Sequence, residues 1–170
     1  MRYLDTAFAQ LAFSIKLMQA AENGALDLAK IDIPLSIRER SGMLVLPDRV
    51  FETENDAILA CQNMVSVSFG AAAITLNRSR EERGLLLPNP IESESEQWIA
   101  LVYQIRNSFA HDISEPKWEI RGERYKRRYD IAGVIADLSD MNGRHFEYNH
   151  IGGAESLFAL KAYAIDRMFF

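Results

Sequence analysis

The sequence predicts a mostly α-helical protein, a bundle of four to five helices with a small β-hairpin inserted between the third long helix and the C-terminal helix. Three long segments carry apolar residues at spacings of three and four, which is the period of one buried helix face. A fourth segment of this kind ends the chain. Between the third and the fourth, short runs flank a Gly-Glu pair, which is typical of a hairpin.

The composition predicts one globular domain spanning residues 1–170. The chain has 48% hydrophobic and 25% charged residues, which is ordinary for a folded protein. Its single cysteine, Cys61, excludes an intramolecular disulfide framework and a multi-cysteine zinc site, and we expect a cytoplasmic protein. The net charge of −5 argues against non-specific coating of nucleic acid but is compatible with a local basic site.

The first helix is predicted over residues 3–22, and Asn23-Gly24 ends it. Its apolar stripe consists of Leu4, Phe8, Leu11, Ile15 and Met18. Polar residues interrupt this stretch, unlike a signal peptide or a membrane span, so no membrane partner is expected. Prolines and a glycine break every periodic pattern between residues 25 and 50, so we expect a short helix within 25–32 and otherwise a connection.

The next two long helices begin with capping residues. Thr53 and Asp56 form a helix-start pair, and the helix that follows should end at Arg83-Gly84. Ser93 or Ser95 should cap the third long helix. The two apolar stripes are Ile58, Cys61, Val65, Phe69, Ala72 and Leu76 for the second helix, and Trp98, Val102, Ile105 and Phe109 for the third.

Residues 113–150 are predicted to form a hairpin and loop insertion. Gly122-Glu123 fits a two-residue type II′ turn with strands at 118–121 and 124–127. Asn142-Gly143 is a second turn signal, so a further short strand pair is expected within 129–150. The last helix follows this insertion and should bury one face consisting of Leu157, Leu160, Ala164 and Met168.

The third long helix ends in side chains suited to phosphodiester chemistry, Arg106, Asn107 and His111. Arg is a fixed planar cation that suits phosphate, and His exchanges a proton near neutral pH. Asn107 and His111 lie nearly opposite the apolar seam, so we expect both to face away from the core. Arg106 is about 140° from His111 around the helix, so one copy forms a poor cluster. Two such helices about a two-fold axis would bring Arg106 of one copy toward His111 of the other, which predicts a homodimer.

The spacing from Arg106 through Asn107 to His111 resembles the signature of the HEPN superfamily, an Arg, a polar residue, three to five further residues and a His. The specific match covers residues 106–111, and beyond it only the helical layout agrees. The resemblance implies a HEPN-like bundle that acts as a dimeric ribonuclease without metal or cofactor, as a toxin or an antiviral-defence effector. It also implies RNA as a partner, with an antitoxin or regulatory protein as a second one.

By this resemblance, the expected reaction is cleavage of single-stranded RNA by attack of a ribose 2′-hydroxyl on the adjacent phosphate. His111 would act as general base or acid, Arg106 would stabilise charge on phosphorus, and Asn107 would orient one of them. The products would be a 2′,3′-cyclic phosphate and a 5′-hydroxyl. Some HEPN toxins carry a modifiable Tyr two residues after the His, but Ile113 stands here, so that control mechanism is not supported.

A basic run follows the motif, and we expect its side chains to be exposed and to bind RNA. Its members are Arg121, Arg124, Lys126, Arg127 and Arg128. Tyr125 and Trp118 lie close by in the sequence, and phosphate neutralisation combined with base stacking is how proteins bind single-stranded RNA. The competing interpretation is a solvated hairpin whose positive charges protect an edge strand.

Several alternatives to the catalytic interpretation stay open. The motif can be the polar end of a helix, with His111 near the C-terminal dipole and Arg106 paired to a surface acid. The chain can be a non-catalytic HEPN-like bundle that binds RNA, a nucleotide or a protein, or a module that serves only assembly. Arg144, His145 and His150 fit the looser motif as well, but no helix is predicted to present them.

Other chemistries have no sequence support. The chain contains no Walker-type loop, no glycine-rich dinucleotide fingerprint and no His-Glu-x-x-His pair. Cys61 lies within an apolar stripe, so we expect it in the core. The acidic residues at 92, 94 and 96 are explained by the start of a helix, so no metal site is expected.

Overall fold

In a computed structural model of the chain, residues 2–46, 49–167 and 169 are described. They form a mostly helical structure, as predicted, with five α-helices and two antiparallel hairpins. The elements are α1 (Arg2–Glu22), α2 (Leu28–Ile31), β1 (Leu35–Glu39), β2 (Gly42–Leu46), α3 (Glu54–Glu82), α4 (Glu94–Ala110), β3 (Arg128–Ile131), β4 (Val134–Asp137) and α5 (Ser156–Asp166). The chain divides into two compact units, Ala12–Val65 on the one hand and Met1–Leu11 with Ser66–Phe170 on the other.

The unit of residues 12–65 contains a hairpin where the sequence predicted only a connection. β1 pairs antiparallel with β2, and Leu35 lies opposite Leu46. Pro34 was taken as a break, but it precedes the first strand, where a residue without an N–H is tolerated. The carboxylate of Asp32 accepts hydrogen bonds of 2.9 Å from the backbone N–H groups of Val50 and Phe51, which closes the base of the hairpin. The short helix expected within 25–32 is α2.

α3 begins at the predicted capping pair. Asp56 accepts a hydrogen bond of 2.8 Å from the backbone N–H of Thr53, and the Thr53 hydroxyl accepts one of 3.3 Å from the N–H of Asp56. Among the described helices, α3 is the one long and apolar enough to cross a bilayer by length and composition. Core helices pass the same test, and Cys61, Phe69 and Leu76 of α3 are buried, as predicted for its apolar stripe.

α4 is buried on all sides along most of its length. It is capped by Ser93, whose N–H donates to the Glu96 carboxylate at 2.7 Å while the N–H of Glu96 donates back to the Ser93 hydroxyl. The predicted apolar seam is buried, but so are residues on the other faces, namely Ala100, Leu101, Gln104, Asn107 and Ser108. α4 is therefore a central helix and not an amphipathic surface helix.

The contact between α3 and α4 depends on a glycine. A Cβ placed on Gly70 would lie 2.8 Å from Cδ1 of Phe109 and 3.3 Å from Cγ1 of Ile113. The Phe109 ring is itself held by the rings of Phe69 and Phe146, with centroids 5.4 Å and 4.8 Å away. Gly70 thus lets the end of α4 approach α3 closely at Phe109, which is two residues before His111.

The hairpin predicted at 118–121 and 124–127 is wrong. Glu123–Tyr125 form a 3₁₀ turn, and the hairpin of the insertion is β3 with β4, whose turn is Ala132-Gly133 at φ values of 56° and 75°. The buried side chains determine which segments pair, because exposed and buried residues alternate strictly along β3 and β4. This hairpin lies within the predicted insertion, although its turn is ten residues before Asn142-Gly143.

The C-terminal helix, α5, packs as predicted. Leu157, Leu160 and Ala164 are fully buried, and the backbone carbonyl of Leu160 accepts a 2.8 Å hydrogen bond from the indole N–H of Trp98 on α4. This bond satisfies the polar atom of a large buried aromatic side chain. Met168, the last member of the predicted face, lies outside the described residues.

Candidate active site at the end of α4

His111 caps the C-terminal end of α4 and faces solvent, as predicted. Its side chain is 66% exposed, and its Nε2 lies 3.3 Å from Oε2 of Glu119. The next residue, Asp112, accepts hydrogen bonds of 3.0 Å and 2.8 Å from the backbone N–H groups of Glu115 and Ser114. These bonds lower the pKa of the Asp112 carboxyl, because they stabilise its charged form. The loop after α4 is therefore held in a defined conformation beside His111.

Asn107 is buried, and the prediction that it faces away from the core is wrong. Only 9% of its surface is exposed, because neighbouring elements cover α4 on the side opposite the apolar seam as well. Its Oδ1 accepts a 3.1 Å hydrogen bond from Nη1 of the half-buried Arg106. Among the hydrogen bonds and ion pairs of the described residues, none joins His111 to Arg106 or Asn107. The structure thus brings two motif residues together and gives the third a different partner.

That partner, Glu119, was not among the predicted site residues, although Arg121 of the same extended segment was. Along residues 117–121, Trp118 and Ile120 are buried while their neighbours point outward. Oε2 of Glu119 contacts both His111 and Nη2 of Arg121, the latter at 3.0 Å. One carboxylate oxygen therefore joins the histidine of the motif to the first cation of the basic run. The alternation of apolar and charged residues along 117–121 was a usable signal for an extended segment. No spacing rule connects residue 119 with residue 111.

A second extended segment pairs with the first and forms an open groove beside Glu119. The backbone N–H of Trp118 donates to the Arg144 carbonyl at 2.9 Å, and the Trp118 carbonyl accepts a hydrogen bond of 2.8 Å from the N–H of Gly143. The groove has a volume of about 360 Å³. Its lining residues are Lys117, Trp118, Glu119, Ile120, Arg121, Asn142 and Gly143. The two cations on its rim make it a place where a phosphate group can bind.

Comparisons of the chain with protein-family models, with curated proteins and with solved structures find no match. An exposed imidazole beside a carboxylate can transfer protons, and nearby cations can hold a phosphate. No group of three or more His, Cys, Asp and Glu side chains in the described part of the chain is arranged to hold a metal ion.

The basic run does not form one continuous cationic surface. Arg124 lies over the ring of Tyr125 at 4.7 Å and donates to its hydroxyl, and Lys126 is paired with Glu123 at 2.5 Å. Arg127 is half-buried, and its Nη1 donates a 2.6 Å hydrogen bond to the backbone carbonyl of Ile91. The prediction that these cations are exposed is thus wrong for Arg127, whose guanidinium connects the insertion to the loop before α4.

His150, in the second copy of the loose motif, is engaged within the fold. Its Nδ1 accepts hydrogen bonds from the indole N–H of Trp118 at 3.2 Å and from the backbone N–H of Glu147 at 3.1 Å. Nδ1 of His150 is thus the acceptor for both the indole and the backbone N–H. This histidine anchors Trp118, which carries the extended segment of Glu119. Arg144 and His145 of the same motif are exposed.

Proposed function

We propose that the chain is a metal-independent, HEPN-type endoribonuclease in which His111 transfers protons and Glu119 positions it. The observation that carries this proposal is the 3.3 Å contact between His111 Nε2 and Glu119 Oε2 on an exposed surface. A carboxylate that holds one imidazole nitrogen fixes the ring and leaves the other nitrogen to the substrate, which is how acid–base histidines are commonly oriented. In this arrangement, Nδ1 of His111 is the nitrogen that meets the RNA.

The reaction is transesterification of single-stranded RNA. His111 takes the proton of a ribose 2′-hydroxyl, the 2′-oxygen forms a bond to phosphorus, and the bond from phosphorus to the 5′-oxygen breaks. The 5′-oxygen takes up a proton from water or from a second acid, which gives a 2′,3′-cyclic phosphate and a 5′-hydroxyl. Lys117 and Arg121, on the rim of the groove, bind the phosphate.

Arg106 keeps the role of stabilising charge on phosphorus only as part of a composite site. It is tied to Asn107 and not to His111 within one chain, so a second copy would have to bring its own Arg106 to this His111. The C-terminal end of α4 is open to such a contact, because Arg106 is half-buried and His111 is exposed. This composite arrangement has a test of its own. Arg106→Ala and His111→Ala chains, each inactive alone, should recover part of the activity when mixed under subunit exchange, because a mixed dimer keeps one intact pair of Arg106 and His111.

The test is cleavage of a labelled single-stranded RNA by purified protein in excess chelator. His111→Ala should lower the rate by about 10²- to 10⁴-fold, which is the usual contribution of general acid–base catalysis. Glu119→Gln keeps the shape of the side chain and should lower kcat, because Glu119 holds His111, and it should also change KM, because it releases Arg121, which we propose binds the phosphate. His145→Ala is the matched control, since it also removes an exposed histidine, and it should keep wild-type activity.

Cleavage that survives His111→Ala would refute the assignment of this residue. A second candidate function, RNA binding without cleavage, is favoured by the groove lined by the two cations Lys117 and Arg121. It predicts that wild-type protein retards single-stranded RNA and leaves it intact. A role as toxin or defence effector, with an antitoxin or regulatory partner, predicts that expressed wild-type protein arrests growth while His111→Ala protein does not.

A further inference from the structure

The hairpin of β1 and β2 exposes apolar side chains on both of its faces. Every residue in the two strands is exposed. The register places Leu35 opposite Leu46 and Ile37 opposite Leu44, so these four side chains share one face. The six large apolar residues of the hairpin are each between 42% and 65% exposed, and they are Leu35, Ile37, Met43, Leu44, Val45 and Leu46. A two-stranded hairpin left in water is marginally stable, so this one needs a partner.

The exposed apolar surface of the hairpin is divided between its two faces. Together the six side chains expose on the order of 600 Å², with Leu35, Ile37, Leu44 and Leu46 on one face and Met43 and Val45 on the other. Within the described residues the sheet has two strands, so each strand also has an outer edge.

The two edges of the hairpin differ in how they are protected. β1 carries Arg38 and Glu39, and charged side chains are one of the devices that keep an edge strand from pairing. β2 has the sequence Gly-Met-Leu-Val-Leu and contains neither a charge nor a proline. Its outer edge is therefore an open template for another strand, and the apolar side chains on it suit a strand of the same composition.

We propose that β2 pairs edge to edge with β2 of a second copy of this chain. An antiparallel pair about a two-fold axis is self-complementary and closes as a dimer. Centred on Leu44, the pairing places Leu44 opposite the same residue of the second copy and Met43 opposite Val45. The four strands then form one sheet, and Leu35, Ile37, Leu44 and Leu46 of both copies make one continuous apolar face. This interface is independent of the RNA chemistry proposed for His111.

Sedimentation equilibrium at tens of micromolar tests the assembly. Wild-type protein should have about twice the chain mass of 19.3 kDa. Leu44→Lys places two ammonium groups opposite each other across the axis and should give a monomer. Leu86→Lys is the matched control, because it changes an equally large leucine, 81% exposed, in the loop after α3, and it should stay dimeric. A monomeric wild type, or a dimer that survives Leu44→Lys, overturns the proposal.

Cross-linking tests the register and does not require the lysine variant to fold. Opposed residues of an antiparallel pair have Cα atoms about 4.5 to 5.5 Å apart, which a disulfide can span. In a Cys61→Ala background, Leu44→Cys should form an intermolecular disulfide under mild oxidation. Ser36→Cys, on the outer strand of the same hairpin, should cross-link far less. Equal cross-linking at both positions would show random collision and would overturn the proposed pairing.

Discussion

Replacing Gly70 by alanine tests the packing that holds the end of α4. The new Cβ would lie 2.8 Å from Cδ1 and 3.2 Å from Cγ of Phe109, closer than carbon atoms pack in a folded protein. The Phe109 ring has no room to retreat, because it is 2% exposed and packs against the rings of Phe69 and Phe146. The backbone of α3 or of α4 must therefore move.

Two opposing effects set the magnitude. Overpacking of a filled core costs about 1 to 3 kcal/mol. Alanine is a better helix former than glycine by about 1 kcal/mol, and residue 70 lies in the interior of α3. The steric effect is the larger one over most of this range, so we expect Gly70→Ala to lower the free energy of unfolding by up to about 2 kcal/mol. If the site at His111 is catalytic, the displaced end of α4 should also lower the cleavage rate.

Urea unfolding followed by circular dichroism measures this change. The matched control is Asn63→Ala, which also introduces alanine into α3 but at an exposed position, where only helix propensity changes. It should raise the free energy of unfolding by a few tenths of a kcal/mol. If Gly70→Ala raised stability as Asn63→Ala does, α3 and α4 would not approach as closely as described, and the reasoning would be refuted.

Three further measurements address the insertion and the loop after α4. Burial raises the pKa of Tyr129. Its neutral phenol therefore stabilises the fold below the ordinary pKa of 10.0, and this contribution is lost as the pH rises toward the raised value. Tyr129→Phe should shift alkaline unfolding to higher pH. Two backbone N–H groups lower the pKa of Asp112. Its contribution to the free energy of unfolding is therefore present above pH 3.8 and is lost as the pH falls through the lowered value. Asp112→Asn should make the free energy of unfolding depend less on pH in the acid range. Arg128→Ala should reduce the slope of log binding constant against log salt concentration by about 0.7 without loss of stability. Arg127→Ala should lower the free energy of unfolding by about 1 to 3 kcal/mol, because it leaves the part-buried carbonyl of Ile91 without its hydrogen bond.

Helix starts and apolar stripes could be predicted because they depend on residues within one or two turns of each other. The Thr53 and Asp56 pair and the Ser93 and Glu96 box each involve a reach of three residues, and both are present in the structure. The stripes of α3 and α4 and the burial of Leu157, Leu160 and Ala164 on α5 follow from the helical period in the same way.

The hairpins show where local patterns were insufficient. Gly122-Glu123 has the composition of a turn, yet burial of Tyr125 and Tyr129 shifts the strand pair to 128–137. β1 and β2 were missed because Pro34, Gly42 and Pro47 were taken as breaks, although the two prolines lie before and after the paired segments and Gly42 begins the second one.

The candidate site likewise has features set by local sequence and features set by tertiary contacts. The sequence by itself determined that Arg106, Asn107 and His111 lie on one helix and that His111 ends it, since helical geometry is local. Only the tertiary structure decided that Asn107 is buried, because other elements also cover the side of α4 opposite its seam. It also gave His111 a carboxylate partner eight residues away in Glu119, whose extended segment is held by pairing with residues 143–146. Contacts between remote segments depend on how the whole core packs, and no local spacing encodes them.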